Sequence, residues 1–505
     1  MKILSYDLGT GGIKTSLWNE NGTPISSVFI PYNTYYPTHQ WHEQKPIDWW
    51  NSVCLSTRKI LKESHTQPTE IAALALSGHS MVVAPLDKQG NLLTENVPIW
   101  SDTRAEECIP DFFRELTYDD WYTTTGNGDP PACYSILKLM WMKKNQPDLF
   151  RQIHRVLGSK DYINYKLTGT ICTDPSYASG FGVFNLSEWQ FEDRFFEVAG
   201  IPKEIFPKIR PSDSIIGHLT PEAARETGLT PGIPVACGGV DNSCMALGAR
   251  GIGEGRIYTS LGSSSWIAIT SQKPIVDIKT RPFVFAHIQK GYYTSAVSIF
   301  SAGNSYRWVR DQLCRDIPSD EDAYLLMDRM VADTPIGSNG VIFNPSLAGG
   351  STQEPSPYMR GGFAGITLST TREEMIRASM EGITLALKEV LDILSANAKI
   401  DKDMLICGGG SKSKLWRQLF ADIYNLDIIK TNIDQNAASL GAAAIAANAC
   451  GLWNDYSRIE SIHQIESVEK PIREQVEKYK VLQKVFHQYA KQTAELGETY
   501  KRYNF

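Results

Sequence analysis

The sequence predicts an α/β protein made of two related halves, each with a mixed sheet, that meet at a cleft. Apolar strand-like runs alternate with helix-like patterns along the chain. Two glycine-rich hairpins, with Leu-Gly pairs beginning at Leu8 and Leu261, lie about half a chain length apart. A buried-strand run that ends in glycine follows each hairpin, at 71–79 and at 404–410. These three observations indicate an internal duplication with a ligand cleft between the halves.

The elements follow in order from the apolar patterns. The first half begins with strand, glycine turn and strand over 3–17, and the second half repeats this design over 257–267. We place the domain boundary so that the domains span 1–247 and 248–505. The last helical segment is charged and is expected to pack on the second domain. Helical spacing of apolar residues occurs at 134–144, 372–396, 414–424, 435–448 and 472–502.

Composition limits what the chain does. Its 505 residues are 42% hydrophobic and 21% charged, which is enough for more than one core. The formal net charge of −6 removes the basic surface that most nucleic-acid binders need. Because no membrane-length apolar run and no secretory h-region occur, we expect a cytoplasmic chain with no membrane or nucleic-acid partner. The nine cysteines include no CxxC pair and are expected to be reduced and packed.

The first hairpin has the residue types of a phosphate-binding turn. Glycine lets a phosphate approach the backbone closely, so that free N–H groups can bind its oxygens. Asp7 before the turn offers a carboxylate for Mg²⁺ or its water shell, and Lys14 after it offers a cation for phosphate. The turn itself consists of Thr10, Gly11 and Gly12. A tight hairpin without any ligand is the alternative interpretation of the same residues.

Asp241 is the candidate general base. It directly follows Gly238-Gly239-Val240 at the end of a strand, where a carboxylate can project into the cleft. Phosphoryl transfer needs an acceptor hydroxyl held in line and an Asp to take its proton. An Asx turn or a helix N-cap is the alternative role for this residue.

A third glycine turn, at 408–413, lies between a strand and a helix and can lie against a nucleotide base or ribose. Glycines at strand ends also occur where they only permit close helix packing. The turn is not a P-loop, because no GxxxxGK followed by Ser or Thr occurs in the chain, and no GxGxxG follows a strand in a dinucleotide-binding context.

Together these motifs resemble those of the FGGY family of ATP-dependent carbohydrate kinases, over essentially the whole chain. Residues 7–14 are similar to the family's first phosphate hairpin and residues 260–264 to its second, with Ser263 where Thr is common. Residues 361–381 and 134–141 are similar to its C-terminal and N-terminal signatures. The resemblance implies two duplicated actin-like ATPase domains of the ribonuclease-H type, with a catalytic cleft between the domains.

The resemblance also implies a role for each candidate. Asp241 falls on the catalytic base, Asn242 lies beside it at the sugar, and Asp7 is the metal ligand. The implied cofactors are ATP and Mg²⁺, and closure of the two domains would limit hydrolysis by water. ATP is expected to contact Thr10, Gly11, Gly12, Lys14, Gly262, Ser263, Ser264, Gly303, Arg307, Gly409, Gly410 and Ser413.

The sugar is expected to contact two segments of the first domain, at 77–81 and 100–104. Side-chain hydrogen bonds suit a row of sugar hydroxyls, and Trp100 can lie against the carbon chain. The competing interpretation makes Trp100 a core residue and pairs Asp102 with Arg104. The two segments contribute His79, Ser80, Met81, Trp100 and Asp102.

The identity of the sugar is left open among several substrates. The layout is most similar to that of the xylulokinases, which favours a pentulose such as D-xylulose. Xylulokinases usually carry Gly-Gln followed by Met-His, whereas this chain has Gly-His-Ser-Met over 78–81. Ribulose, gluconate, erythritol and glycerol are therefore alternatives, although the Arg-Glu pair of glycerol kinases is absent. An actin-like ATPase or a sugar sensor without kinase activity is the rival function, and a homodimer is left open.

Overall fold

Two seven-stranded mixed sheets form the centres of the two halves, in a computed structural model that describes residues 1–318, 322–351 and 354–503. The strands of the first sheet are β1 Lys2–Gly9, β2 Gly12–Asn19, β3 Pro24–Pro31, β4 Ile71–Gly78, β5 Ile215–His218, β6 Pro234–Ala236 and β7 Gly239–Val240. The strands of the second are β8 Ile257–Leu261, β9 Ser265–Ser271, β10 Phe283–Ala286, β11 Tyr293–Ile299, β12 Asp403–Cys407, β13 Asp427–Thr431 and β14 Ile465–Glu469.

The two sheets repeat one topology. The first has the order β5-β6-β4-β1-β2-β3, with β7 also paired to β4, and the second has the order β14-β13-β12-β8-β9-β11-β10. In both sheets the antiparallel hairpin has an antiparallel strand on one side. On its other side lie two parallel strands and then an antiparallel edge strand. The predicted duplication with mixed sheets is therefore confirmed.

Helices cover both sheets. Those of the first half are α1 Pro46–Glu63, α2 Ile109–Phe112, α3 Tyr118–Thr125, α4 Ser135–Asn145, α5 Pro147–Phe150, α6 Ser159–Thr168, α7 Pro175–Ala178, α8 Asp193–Ala199, α9 Pro221–Thr227 and α10 Asp241–Gly248. Those of the second half are α11 Gly303–Leu313, α12 Ala323–Met330, α13 Arg372–Asn397, α14 Lys414–Tyr424, α15 Ala437–Ala449, α16 Arg458–Ile462 and α17 Arg473–Arg502. Short paired strands are Glu43–Gln44 with Val97–Pro98, Ala84–Leu86 with Arg155–Leu157, Cys172–Thr173 with Lys208–Ile209, Phe184–Asn185 with Gln190–Phe191, and Ile342–Asn344 with Gly362–Ala364.

The predicted helices are present, with small shifts at their ends. α13 begins where a capping box satisfies its first N–H groups: Thr371 Oγ1 accepts from Glu374 N, and Glu374 Oε2 accepts from Thr371 N. α15 begins at Ala437 rather than Gln435, because 434–436 form a 3₁₀ turn. α17 packs on α13 and α14 of the second half, as expected.

Helices α10 and α15 lie between the two sheets and join the halves. Their backbones cross closely, because a Cβ on Gly248 would lie 1.8 Å from Ala437 O and one on Gly441 would lie 1.9 Å from Cys244 O. The apolar core around them includes residues of both sheets. The proposed boundary between 247 and 248 falls in the last turn of α10. Because Asp241 begins α10, this crossing places it at the junction of the halves.

All nine cysteines are free thiols, and seven of them are buried, as the sequence predicts. In the part of the chain that the structure describes, no helix combines the length and apolarity that crossing a membrane requires.

Candidate active site

Three parallel strands of the first sheet end side by side at the cleft. The pairing of β1 with β4 sets Asp7 beside Ser77, and the pairing of β7 with β4 sets Gly239 on the other side of Ser77. Ser77 Oγ donates to Asp7 Oδ1 at 2.9 Å. Ligands of α/β sheets bind outside the carboxyl ends of parallel strands. Asp7 and Asp241, which follows β7, therefore lie at the same ligand-binding edge.

Asp241 is held at one oxygen and available at the other. It is the first residue of α10, Val240 occupies the N-cap position, and Asp241 Oδ1 accepts a hydrogen bond from Asn242 N at 2.8 Å. Burial, reinforced by the negative charge of Asp7, raises the pKa of Asp241 to about 7. This exceeds the opposing effect of the helix N-terminus, which favours a carboxylate. A carboxyl with a pKa near neutrality is suited to accept a proton from a bound hydroxyl.

Asp7 and Lys14 form a charged pair on the first hairpin. They are opposite each other in the register of β1 and β2. Burial raises the pKa of Asp7, against the opposing effects of Ser77 and Lys14. Lys14 Nζ donates to Gln435 O of the second half at 2.9 Å, so this cation bridges the cleft. Burial lowers the pKa of Lys14, with Asp7 and Asp434 acting in the opposite direction.

The turn of the first hairpin is braced from outside. Tyr32 OH donates to Gly9 O at 2.5 Å, and Gln44 Nε2 donates to Thr10 O at 2.7 Å. A Cβ on Gly12 would lie 2.5 Å from Ile30 O, so the position admits only glycine. Gly11 has open space around it. The turn is thus rigid at its base and accessible at its tip.

Three turns of the second half surround a cavity of about 500 Å³. Gly303 N donates to Gly262 O at 2.9 Å, and a Cβ on Gly303 would lie 2.4 Å from that oxygen. A Cβ on Gly410 would lie 2.2 Å from Leu261 Cδ2. Because these two glycines have no side chain, three segments can approach one another closely: the second hairpin, the start of α11 and the turn after β12. The volume is within the usual range of small-molecule pockets.

Most of the residues predicted to bind ATP in the second half line this cavity. They are Gly262, Ser263, Gly303, Arg307, Gly409, Gly410 and Ser413. Ser264 does not line it, and Thr10, Gly11, Gly12 and Lys14 belong to the first hairpin. Among the others, Leu261 and Lys412 belong to the predicted turns at 260–264 and 408–413, whereas the residues of α12 and the residue before it carry no motif, because that stretch resembles an ordinary amphipathic helix. The lining residues that were missed are Leu261, Tyr306, Asp322, Tyr324, Leu325, Asp328, Lys412 and Trp416.

His79 presents an unsatisfied nitrogen. It is 1% exposed, its Nδ1 lies 3.2 Å from Leu8 O, and its Nε2 has no hydrogen-bond partner in the described structure. Burial lowers the pKa of His79 to about 4, so the ring is neutral near pH 7. With Nδ1 donating to Leu8 O, Nε2 is an acceptor. A buried acceptor of this kind suits a sugar hydroxyl.

Of the other predicted sugar residues, Trp100 and Asn242 are exposed or partly exposed, whereas Ser80 and Met81 are buried. Trp100 is 46% exposed and its Nε1 donates to Thr10 Oγ1 at 2.8 Å, so it is not a core residue. Ser80 is buried, and the Met81 side chain packs in a hydrophobic core of the first half. Met81 O accepts from the buried Lys138 Nζ at 2.9 Å, which fixes the path of this segment. Asn242 is partly exposed beside Asp241.

Asp102 differs from the expectation. It is fully buried, its two oxygens accept from Arg104 Nε and Nη2, and Oδ2 also accepts from His42 N at 2.7 Å. Arg104 Nη2 donates in addition to Glu43 Oε1 at 2.6 Å. The structure thus supports the competing interpretation for Asp102, because a carboxylate satisfied in this way has no oxygen left for a hydroxyl.

The carboxylates present fit a magnesium ion that is shared with phosphate. Among residues 1–318, 322–351 and 354–503, no group of three or more His, Cys, Asp or Glu forms a metal cage. Mg²⁺ is usually bound by one or two carboxylates together with water and substrate phosphates. Asp7, the predicted metal ligand, supplies such a carboxylate at the edge of the first sheet.

Comparisons with known proteins agree with this geometry. The family model for the N-terminal domain of the FGGY family of carbohydrate kinases matches residues 2–248, and that for the C-terminal domain matches residues 257–450. The chain is 29% identical to the xylulose kinase of Bacillus subtilis (strain 168) over 99% of both chains. A ligand-bound xylulose kinase from Lactobacillus acidophilus has a TM-score of 0.89 at 26% identity and 98% coverage of both chains. A gluconate kinase from the same species has a TM-score of 0.90 at 27% identity and 99% coverage of both.

Proposed function

The chain belongs to the FGGY family of carbohydrate kinases, and on that premise we propose that it transfers the γ-phosphoryl group of ATP to a primary hydroxyl of an uncharged pentulose such as D-xylulose. The observation that carries the proposal is the position of Asp241. Its carboxyl has a pKa of about 7 and lies at the strand edge that also holds Asp7 and the first hairpin.

Asp241 would act as the general base. Asn242 N orients Oδ1, which leaves Oδ2 to accept the proton of the sugar hydroxyl as its oxygen attacks phosphorus. A raised pKa makes the carboxylate a stronger base, and at pH 8 most of it is still ionised. The two glycine hairpins and Lys14 would stabilise the negative charge on the transferred group.

Asp7 would hold Mg²⁺, which supplies charge neutralisation on the phosphate oxygens when it is bound. The cavity beside the second hairpin would take the adenosine, with Gly409 and Gly410 allowing close approach. Tyr306 and Tyr324, whose rings stack at 5.7 Å, form an aromatic wall of this cavity.

The charges near the sugar segments favour an uncharged substrate over gluconate. The guanidinium of Arg104 is engaged by Asp102 and Glu43. Lys138 Nζ donates to the carbonyls of Met81 and Ile99, at 2.9 and 2.6 Å. Neither of these two cations is therefore free to pair with a gluconate carboxylate. His79 Nε2 and the exposed face of Trp100 match a hydroxyl and a carbon chain instead.

The test is ADP release in a coupled assay with Mg-ATP and a panel of sugars: D- and L-xylulose, D- and L-ribulose, gluconate, erythritol and glycerol. Asp241→Asn should lower kcat on the preferred sugar by about 10³-fold, because the base is lost while the shape is kept. Asp148→Asn is the matched control, since it also converts an Asp to Asn, at an exposed surface ion pair with Arg151.

We expect one uncharged pentulose to accelerate ADP release strongly in the wild type and in the control only. Preference for gluconate would contradict the substrate class. Hydrolysis of ATP that no sugar accelerates would instead support an actin-like ATPase, and no turnover at all would support a sugar sensor.

A further inference from the structure

A fully buried ionic cluster lies next to the segment that leads to Asp241. Lys160 Nζ is 2.6 Å from Asp161 Oδ1 and 3.0 Å from Asp174 Oδ1, and none of the three side chains is exposed. Burial opposes the charge on Lys160, but the two carboxylates outweigh burial and raise its pKa well above the ordinary value. Desolvating such ions costs several kcal/mol each, so a buried cluster adds little stability of its own. Its geometry points to another role.

The cluster reaches the Asp241 segment through one hydroxyl. Ser176 Oγ donates to Asp174 Oδ2 at 2.5 Å and accepts the backbone N–H of Val240 at 2.9 Å. Because the Ser176 hydroxyl donates its hydrogen bond to Asp174, a lone pair of Ser176 Oγ accepts the N–H of Val240. Lys160 neutralises Asp174 from the other side. The chain of contacts ends one peptide bond before Asp241.

The Asp241 segment needs such an anchor. Gly238 has φ +77°, in the left-handed region, and is followed by another glycine, so two successive residues have wide conformational freedom. Strand β7 is only two residues long, Gly239–Val240. Gly238 N donates to Ser212 O at 2.9 Å, and Val240 N donates to Ser176 Oγ. These two bonds hold the segment on either side of Gly239.

The same elements also hold the backbone that carries His79. Ser159 Oγ and Tyr177 OH both donate to His79 O at 2.7 Å. A Cβ on Gly78 would lie 2.9 Å from Lys160 Cβ, so the segment lies directly against the cluster. The cluster is therefore shared by the two segments that would face the sugar.

We propose that Ser176, oriented by Asp174 and Lys160, is the positioning residue for the catalytic carboxylate. It fixes the Gly239–Val240 peptide, one residue before Asp241, and thereby directs the Asp241 carboxyl at the acceptor hydroxyl. The proposal rests on the proposed function, in which Asp241 is the base. Ser176 itself touches no reacting atom, so its effect passes through Asp241 alone.

Ser212 offers a matched control. Ser212 Oγ also donates to Asp174 Oδ2, at 2.8 Å, but that hydroxyl does not reach Val240, and the bond from Gly238 N goes to the Ser212 backbone. Each of the variants Ser176→Ala and Ser212→Ala thus removes one hydroxyl that donates to Asp174 Oδ2. We expect Ser176→Ala to lower kcat on the preferred sugar about 10- to 100-fold with the KM for Mg-ATP within about twofold of wild type. Ser212→Ala should stay within about threefold in kcat.

A double variant separates positioning from general destabilisation. Added to Asp241→Asn, Ser176→Ala should lower the residual rate no further, because the group that it positions is already absent. Asp174→Asn keeps the shape and removes the charge that orients Ser176, and it is the second variant if Ser176→Ala does not fold. Equal losses in Ser176→Ala and Ser212→Ala, or a multiplicative loss in the double variant, would overturn the proposal.

Failure of the proposed function would look different. An Asp241→Asn enzyme with unchanged turnover would refute the base itself. In that case crystal structures of the two serine variants still decide the positioning claim. A shifted Gly239–Val240 peptide in Ser176→Ala but not in Ser212→Ala supports the claim, and an unmoved peptide in both contradicts it.

Discussion

The two glycine hairpins share a backbone and differ in charge. Each turn follows a Leu-Gly pair, returns as an antiparallel strand and lies beside a parallel strand, β4 or β12. In the first hairpin Asp7 is opposite Lys14, whereas in the second Ser260 is opposite Trp266. The neighbouring strand contributes Ser77, which donates to Asp7, in the first half and Cys407 in the second. The two hairpins thus share a backbone design but differ in the side chains beside the turn.

This difference suits the two halves to different roles in the proposed reaction. The first half carries Asp7, Asp241 and the segments proposed to face the sugar, while the cavity of about 500 Å³ lies against the second hairpin. That cavity has aromatic walls and glycine turns, which suit an uncharged base and sugar. The comparison teaches that a repeated backbone can have two different roles when an Asp and a Lys lie opposite each other in only one of its two hairpins.

The largest effect that this comparison predicts is at Asp7. Asp7→Asn should lower kcat by about 10³-fold, since it removes a charge beside the phosphates and a ligand for Mg²⁺. The apparent Mg²⁺ concentration for half-maximal rate should rise at the same time. Steady-state kinetics over a range of Mg²⁺ concentrations measure both, with the exposed Asp148→Asn as control. A loss of less than tenfold would show that the charge asymmetry of the hairpins has no catalytic role.

A smaller effect is expected at the second hairpin, and it should fall on ATP binding. In Gly303→Ala the new Cβ would lie 2.4 Å from Gly262 O, a backbone atom that cannot move aside freely. The second turn must shift, so the KM for ATP should rise about tenfold with kcat within about threefold. Gly253→Ala, where a Cβ meets nothing within 4 Å, is the control in the same half. A fall in kcat without a change in KM would contradict the division between the halves.

The sequence predicted the fold well because the fold repeats. Strand 71–78 and hairpin 3–17 recur as 403–407 and 257–267, so each half supported the prediction for the other. The only notable shift, at α15, comes from a 3₁₀ turn whose residues also suit an α-helix start.

The site was harder to predict where contacts cross between segments. Asp102 and Arg104 are two residues apart, and only the folded chain adds Glu43 and His42 N, which together satisfy the ion pair. The aromatic wall likewise needs α12 to pack beside α11, which no local pattern encodes. The Lys160 cluster joins α6 to Asp174, the N-cap residue of α7, and Ser176 of α7 links it to Val240, so neither the cluster nor this link could be predicted from spacing.

The last predicted effect concerns stability rather than turnover, and it sharpens the claim that burial gives Asp241 its basicity. The pKa of Asp241 is about 7 in the folded protein, above the ordinary value of 3.8. Between these two pH values the unfolded chain binds fewer protons at this residue, so its contribution to stability falls as pH rises from about 4 to about 7. Asp241→Asn does not titrate and should avoid this loss. Its unfolding free energy should therefore exceed that of wild type by up to about 4 kcal/mol at pH 8 and match it near pH 4.

Denaturant unfolding of both proteins at the two pH values measures that difference, and subtraction cancels the titration of the groups that do not interact with Asp241; the coupled titration of Asp7 is part of the measured difference. A carboxylate that destabilises the fold when it is ionised, yet abolishes turnover when it is replaced, has a role in the reaction rather than in folding. An unfolding free energy of Asp241→Asn that lies below wild type at pH 8 would mean that the ionised carboxylate is well solvated or paired. The raised pKa assigned to Asp241 would then be wrong, and Asp7 and Lys14 would be the remaining candidates for the charged groups that act in the first half.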